Sequence, residues 1–171
     1  MNTTIRNLLI VLLLAVAVLA TYILLPSSRQ PMPEISFTDI DGKPHQLTDY
    51  KGQPVLMIFW ATDCPGCIKE MPELIAVHEA YADKGLAMIG VAMPHDNPEH
   101  IQAMRRQKGL PYTLTWDEHG DISAAFDNVR VTPTHFLISP EGEIVMRKIG
   151  ELSQEQLEQA LASMGFAPEH T

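Results

Sequence analysis

The stretch from Trp60 to Pro72, WATDCPGCIKEMP, contains both cysteines of the 171-residue chain. The apolar run PVLMIFW at 54–60 leads into it and is typical of a strand covered on both faces. From Pro65 the pattern becomes helical, so Cys64 and Cys67 lie where a buried strand passes into a helix. Residues i and i+3 of a helix share a face at roughly 5–6 Å between Cβ atoms, close enough for a disulfide after modest adjustment.

Three kinds of chemistry fit this spacing. A structural zinc site needs four ligands, and His95 and His100, the histidine pair with suitable spacing, follow the cysteines after a predicted strand. A purely structural disulfide adds little here, because its stabilisation grows with the length of the loop it closes. A redox pair is favoured, with Cys64 as the nucleophile at the helix N-terminus and Cys67 as the shielded resolving thiol.

The N-terminal region, 1–29, differs in character from the rest of the chain. Its apolar run at 8–25, LLIVLLLAVAVLATYILL, is uncharged and at ~1.5 Å per residue reaches roughly the ~30 Å of a hydrocarbon core. We therefore predict an uncleaved signal anchor, with a cleaved secretory signal as the alternative. Arg6 before the run and Arg29 after it give a small bias toward a cytoplasmic N-terminus, which places the rest of the chain outside.

The remaining chain, 30–171, is predicted to be one domain with its core at about 34–167. It carries ten Lys or Arg against 21 Asp or Glu, or about −11 with histidine counted as neutral. This charge argues against a nucleic-acid partner, because phosphate binding needs the opposite sign. Residues 26–33, PSSRQPMP, have the composition of an extended linker.

Hydrophobic periodicity and turn residues predict the order of the other elements. The alternation of strands and helices, followed by a hairpin and a last helix, indicates a mixed sheet with helices on both faces. The predicted elements are a hairpin at 37–47 around Asp41-Gly42, a helix at 65–82 kinked at Pro72 with 68, 71, 74, 75 and 78 on its apolar side, a strand at 86–93, a helix at 98–108, a strand at 114–116, a helix at 121–126, a hairpin of 134–139 and 143–149, and a helix at 153–164 that starts with a capping box.

The motifs VLMIFWATDCPGCIKEMP, GLAMIGVAM and VTPTHFLISPEGEIV resemble the membrane-anchored thioredoxin-like proteins of the TlpA and ResA type, over essentially all of residues 32–167. The resemblance implies an α/β thioredoxin-like fold: a central mixed β-sheet flanked by helices, with an N-terminal β-hairpin and a ResA/TlpA-type central insertion. It also implies a cis bond before Pro133, close to Cys64, with the Thr132 backbone presented to a substrate peptide. A strand-initiating proline is the alternative interpretation of Pro133.

Relatives usually carry a buried acid two positions before the tryptophan that here is Trp60, and this chain has Ile58 there. The acid would accept the proton of the resolving thiol. ResA-like members place an acid after the next strand instead, so we hypothesise that His95 or Asp96 does this work. For Trp60 itself, packing beneath the active site and a substrate-facing role both stay open.

Asp63 stands where relatives often have tryptophan. As a helix N-cap it would stabilise the helix by ~1 kcal/mol. Its negative charge next to Cys64 also opposes the thiolate, so it should raise the pKa of that thiol. A higher thiol pKa makes the reduced dithiol a better reductant, other things being equal.

The resemblance implies a thiol–disulfide oxidoreductase tethered to the bacterial inner membrane through residues 8–25, with its domain in the periplasm. It would reduce disulfides in client proteins of the cytochrome c maturation or copper-site assembly type, recharged by a membrane electron donor of the DsbD or CcdA kind, with no dissociable cofactor. The alternatives are an oxidant of the same fold, a peroxidase of the related peroxiredoxin fold, and a Sco-like copper chaperone. The last would use His135, which we interpret as a strand residue.

Overall fold

The computed structural model describes residues 7, 10–17, 20 and 30–166 of the chain. The strands are β1 Gln30–Pro31, β2 Ser36–Thr38, β3 Pro44–Gln46, β4 Val55–Trp60, β5 Ala87–Ala92, β6 Thr113–Trp116, β7 Thr134–Ile138 and β8 Glu143–Ile149. The helices of the domain are α1 Pro65–Tyr81, α2 Pro98–Lys108, α3 Asp121–Ala125 and α4 Gln154–Ser163, with short 3-10 turns at Leu47–Tyr50 and Ala82–Lys84.

Six strands form one sheet in the order β1-β8-β7-β4-β5-β6, and β2 and β3 form a separate antiparallel hairpin. Strands β4, β5 and β6 run parallel, whereas β4 pairs with β7 and β7 with β8 in antiparallel register. The predicted mixed sheet and both predicted hairpins are therefore confirmed. Between β5 and β7, where a central insertion would fall, the chain forms α2, β6 and α3.

The central strand β4 is buried along its whole length because both faces of the sheet are covered. One face packs against α1, α2 and α4 in a cluster that contains Ile58, Trp60 and both cysteines. The other face packs against α3 and the N-terminal hairpin, around Phe59 and Phe136. The alternation of side chains along β4 thus directs Ile58 and Trp60 to the face that carries the cysteines.

The extended linker predicted at 26–33 is wrong for its last residues. Gln30 and Pro31 form the edge strand β1 against β8, and Met32 is buried in the second core cluster. The proline-rich composition suggested a linker, but proline is tolerated in an edge strand. Its missing N–H would face away from the neighbouring strand and is not needed for pairing.

Of the predicted anchor at 8–25, the structure describes residues 10–17 and 20, which are helical, and the other half lies outside the described residues. Within the described part of the chain, no helix combines the length and the apolar character needed to cross a membrane.

Helix α1 continues through Pro72 to Tyr81, and its buried side differs from the predicted one. Of the five predicted positions, only Met71 and Leu74 are buried, whereas Ile68, Ile75 and His78 are half-buried. The observed buried stripe comprises Cys67, Glu70, Met71, Leu74, Val77 and Tyr81. The predicted face was displaced because it left out residue 70, an inward position that a carboxylate occupies.

Candidate active site

The cysteines form a disulfide at the junction of β4 and α1, with their Cα atoms 5.3 Å apart. Cys64 is the N-cap of α1, and its Sγ accepts a hydrogen bond of 3.2 Å from the Cys67 N–H. Asp63 therefore is not the N-cap, and that prediction was wrong by one residue. Cys64 is 8% exposed and Cys67 1% exposed, so an incoming group reaches the first sulfur before the second.

The Val131–Thr134 loop lies against this first turn of α1. The Thr132–Pro133 peptide bond is cis, and an ideal Cβ placed on Gly66 would lie 3.4 Å from the Pro133 Cδ. The Thr134 hydroxyl donates a 2.7 Å hydrogen bond to the Val131 carbonyl, which closes the loop. The Gly150 N–H donates one of 2.8 Å to the Pro133 carbonyl. Thr132 itself is half-buried just before β7.

Two apolar side chains border this loop at the surface. Val131 and Ile149 are the large apolar residues of the described domain, 30–166, that are exposed, each at 56%. Ile149 lies opposite Thr134 in the β7–β8 ladder, so its backbone is next to the loop that contains Val131 and Pro133. Exposed apolar surface at a reactive centre indicates a contact region for another molecule.

Trp60 is buried beneath the cysteines, at 3% exposure. Its indole lies over β5, where an ideal Cβ on Gly90 would be 3.1 Å from the Trp60 Nε1 and 2.6 Å from a Leu114 methyl. Gly90 is therefore required for this packing. Among the described residues, the Trp60 Nε1 has no hydrogen-bond partner. These contacts correspond to the core-packing interpretation of Trp60.

Asp63 and His95 meet at the surface next to Cys64. The His95 Nε2 lies 3.3 Å from the Asp63 Oδ1, and the two side chains are 58% and 77% exposed. At this exposure water screens the interaction of the pair with its surroundings, so any effect on the first sulfur is expected to be weak.

Asp96 is buried, and its contacts are local. Its carboxylate accepts hydrogen bonds from the Thr62 N–H at 2.7 Å, the Thr62 hydroxyl at 2.9 Å and the Asn97 N–H at 2.9 Å. Asp96 thus ties the loop before Cys64 to the end of β5. The structure does not bring Asp96 or His95 into contact with Cys67, and their assignment as proton acceptors stays a prediction.

A buried acid that the sequence reasoning missed lies on α1. Glu70 is 3% exposed and His135 is fully buried on β7, with 2.9 Å between the Glu70 Oε1 and the His135 Nε2. The other carboxylate oxygen of Glu70 accepts a 3.1 Å hydrogen bond from the Leu152 N–H. Burial raises the pKa of the Tyr112 phenol, and the negative charge of Glu70 raises it further. The available signal was the i, i+3 spacing from Cys67, which places Glu70 on the buried face of the helix.

A surface cleft of about 320 Å³ reaches Glu70 from the solvent side. Lys69 and Glu151 form an ion pair of 2.7 Å at its rim, and this hydrogen bond raises the pKa of Lys69. The cleft is lined by Lys69, Glu70, Glu73, Lys148, Glu151, Leu152, Ser153 and Gln156.

The chemistry available at this site is that of sulfur. Within residues 7, 10–17, 20 and 30–166, no group of three His, Cys, Asp or Glu side chains is arranged to hold a metal ion. His100 lies at the start of α2, where its N–H donates 2.9 Å to the Asn97 side chain that caps the helix. His135 is a strand residue, as predicted, and its Nε2 contacts Glu70.

Comparison with known proteins gives one consistent result. The chain matches the AhpC/TSA family over residues 29–147. It is 33% identical over 130 residues to the thiol-disulfide oxidoreductase ResA of Bacillus thuringiensis subsp. konkukian, covering 75% of this chain and 73% of that protein. It is 31% identical over 134 residues to the thioredoxin-like protein YneN of Bacillus subtilis, covering 77% of each. The crystal structure of a thioredoxin-family thiol:disulfide interchange protein from Chlorobium tepidum superposes with a TM-score of 0.74 at 23% identity, covering 81% of this chain and 97% of that one.

Proposed function

Because the chain belongs to the ResA-like thiol–disulfide oxidoreductases within the AhpC/TSA family, we propose that it reduces disulfides in client proteins outside the cytoplasm. The observation that carries this proposal is the Cys64–Cys67 disulfide at the start of α1, which lies against the loop containing cis Pro133. A pair at a helix N-terminus is suited to opening and closing during turnover, because the helix end stabilises the thiolate that attacks.

In the reduced protein, Cys64 is the nucleophile. Its thiolate attacks a client sulfur, and the released client thiolate takes up a proton. Cys67 then attacks the Cys64 Sγ in the mixed disulfide and releases the second client sulfur. The small difference in exposure, 8% against 1%, supports this order, since the inner sulfur is shielded from intermolecular attack.

The client segment binds across the Val131–Thr134 loop. The Thr132 backbone pairs with it in the manner of an added strand, and Pro133 holds it near Cys64. Val131 and Ile149 offer exposed apolar surface on either side, which favours clients with apolar residues next to their cysteine. Asp63 tunes the first thiol from the surface, and Trp60 supports the site from below.

The sequence supports a location outside the cytoplasm through its apolar run at 8–25, which anchors the protein in the inner membrane or is removed as a signal. A reductant in an oxidising compartment must be recharged, so a membrane electron donor of the DsbD or CcdA kind supplies its electrons. Cytochrome c maturation and copper-site assembly are the processes that need such a reductant.

The reduction potential tests the direction of transfer. The full-length protein is equilibrated with defined thiol–disulfide buffers, and the fraction oxidised is read by alkylation of free thiols. We expect a value near the ~−270 mV of thioredoxin, and a value near the ~−120 mV of DsbA would instead establish an oxidant. Stoichiometric binding of Cu(I) or Cu(II) in a separate titration would contradict the proposal in favour of a copper chaperone.

A further inference from the structure

His135 lies beside Ile58, the position at which relatives usually carry a buried acid. His135 on β7 is the antiparallel partner of Ile58 on β4. Directly opposed residues of two antiparallel strands point to the same face, with Cβ atoms ~4.5–5.5 Å apart. That face is the one covered by α1, and Ile58 belongs to the same core cluster as Cys67. The ionisable side chain of His135 therefore lies on the strand next to Ile58, the position where relatives carry the buried acid.

The pair formed by Glu70 and His135 has an incomplete hydrogen-bond network. Both oxygens of Glu70 have partners, namely the His135 Nε2 and the Leu152 N–H. Among the described residues, the His135 Nδ1 has none, although the side chain is fully buried. A buried ring nitrogen without a partner costs stability, so its retention calls for an explanation other than packing.

Glu70 lies one helical turn after Cys67, on the same buried stripe of α1. This i, i+3 spacing places the two Cβ atoms about 5–6 Å apart, so the resolving residue and the acid are neighbours on the buried side of the helix. The cleft lined by Lys69, Glu73, Lys148 and Glu151 connects the carboxylate to solvent. The resolving residue is thus one turn from the acid, and the acid contacts the imidazole.

We propose that His135 is a positioning residue for the resolving step, which holds the Glu70 carboxylate so that it accepts the proton of Cys67. The Cys67 S–H bond breaks, its proton passes to Glu70, and the thiolate displaces the client sulfur from Cys64. The cleft returns the proton to the departing client thiolate through solvent. The two protons of the protein dithiol thus end on the two client thiols, and the two electrons reduce the client disulfide.

The proposal rests on the proposed thiol–disulfide exchange but not on whether the protein reduces or oxidises its clients. The same proton is returned to Cys67 when the protein disulfide is reduced. The charged groups that surround the pair are those of the cleft rim, where Lys69 and Lys148 oppose Glu73 and Glu151, and the Tyr112 phenol. Any pH dependence is therefore compared with a control that leaves these groups unchanged.

Ellman's disulfide separates the two steps in the reduced full-length protein. The first thionitrobenzoate is released when Cys64 attacks, and the second when Cys67 displaces the mixed disulfide. We expect His135→Gln to slow the second release by about tenfold at neutral pH and to alter its pH profile, with the first release unchanged, because a positioned acid–base group contributes ~10²–10⁴ in rate. The control is His45→Gln, which removes an imidazole from a carboxylate, that of Asp39, at the same 2.9 Å distance elsewhere in the fold.

The second variant is Glu70→Gln, together with the double variant. If His135 acts through Glu70, the double variant is no slower than Glu70→Gln alone. An unchanged second release in folded His135→Gln, or additive losses in the double variant, would overturn the proposal. Should neither variant fold, the His135 ring signals of the natural protein are followed by NMR against pH in the reduced and oxidised states. Identical titrations in both states would refute coupling to Cys67. A reduction potential typical of an oxidant would contradict only the proposed direction of electron transfer and not the role of His135.

Discussion

Two carboxylate–imidazole pairs of this protein have the same separation and different surroundings. In the N-terminal hairpin, the Asp39 Oδ2 lies 2.9 Å from the His45 Nε2, and in the core the Glu70 Oε1 lies 2.9 Å from the His135 Nε2. The hairpin pair is complete, because the Tyr50 hydroxyl bonds the other nitrogen of His45 at 2.8 Å. In addition, the backbone N–H groups of residues 41 and 43 bond Asp39.

The core pair is more deeply buried and lacks one partner, since the His135 Nδ1 has none among the described residues. A complete network at the surface serves to hold a hairpin together. The incomplete network lies in the core, and its carboxylate is one helical turn from Cys67. The distance between carboxylate and imidazole therefore does not reveal the role of a pair. The hydrogen-bond partners of the remaining oxygen and nitrogen, and the residues around the pair, are more informative.

The largest expected effect is on stability, from removing each imidazole. His135→Leu leaves the Glu70 carboxylate buried with only the Leu152 N–H, so the free energy of unfolding should fall by about 3–5 kcal/mol. His45→Leu should cost about 1 kcal/mol, because Asp39 keeps two backbone donors and contact with solvent. Urea denaturation of the oxidised proteins at neutral pH measures both, and equal losses would remove the distinction between the pairs.

A smaller effect is expected when the hairpin pair is made incomplete in the same way as the core pair. Tyr50→Phe removes the hydroxyl from the His45 Nδ1 and should lower the free energy of unfolding by ~0.5–1.5 kcal/mol. The rate of disulfide exchange should not change, since the hairpin lies away from the cysteines. Denaturation and an exchange assay on one sample test both parts, and slower exchange would show that the hairpin is coupled to the site.

The hairpin pair should also contribute to stability in a pH-dependent manner. Burial raises the pKa of Asp39, but the hydrogen bond from His45 and those from the backbone of Lys43 and Asp41 outweigh it, so the pKa lies below its usual 3.8. A lowered pKa in the folded state gives stability that is present above the unfolded value and is lost as the pH falls through the folded value. Asp39→Asn should therefore reduce the loss of stability between pH 6 and pH 3. The exposed Asp83→Asn serves as the control, and identical acid sensitivity in both variants would exclude this role.

The smallest effect is expected at the third pair, Asp63 with His95. Asp63→Asn should slightly lower the pKa of the Cys64 thiol in the reduced protein, and the effect should be small because the carboxylate is well exposed and screened. The reduction potential should become slightly less negative. Alkylation rates measured against pH at low and high salt check the sign and the screening. A raised thiol pKa in Asp63→Asn would mean that its charge does not act on Cys64.

Much of the fold could be predicted because its signals are local. The apolar run before Trp60, the turn at Gly42 and the capping box at Ser153 each depend on neighbouring residues, and each appears in the structure as expected. The errors arose where a residue's role depends on distant chain. Pro31 became an edge strand only because β8 lies beside it, and the carboxylate of Glu70 is buried where the His135 ring and the Leu152 N–H bond it. The N-cap error at Asp63 is different, because it is a shift of one residue at a helix boundary.

The cysteine pair, the strand-to-helix junction that carries it and the order along the chain of the elements from β2 onward could be predicted from the sequence, because spacing and hydrophobic period encode them directly. The contact between Glu70 and His135, in contrast, depends on how the chain packs. Glu70 and His135 are 65 residues apart in the chain, and their contact depends on the register between β4 and β7 and on the rotation of α1 over the sheet. Those quantities are set by packing of the whole core, so no local pattern around WATDCPGCIKEMP could disclose them.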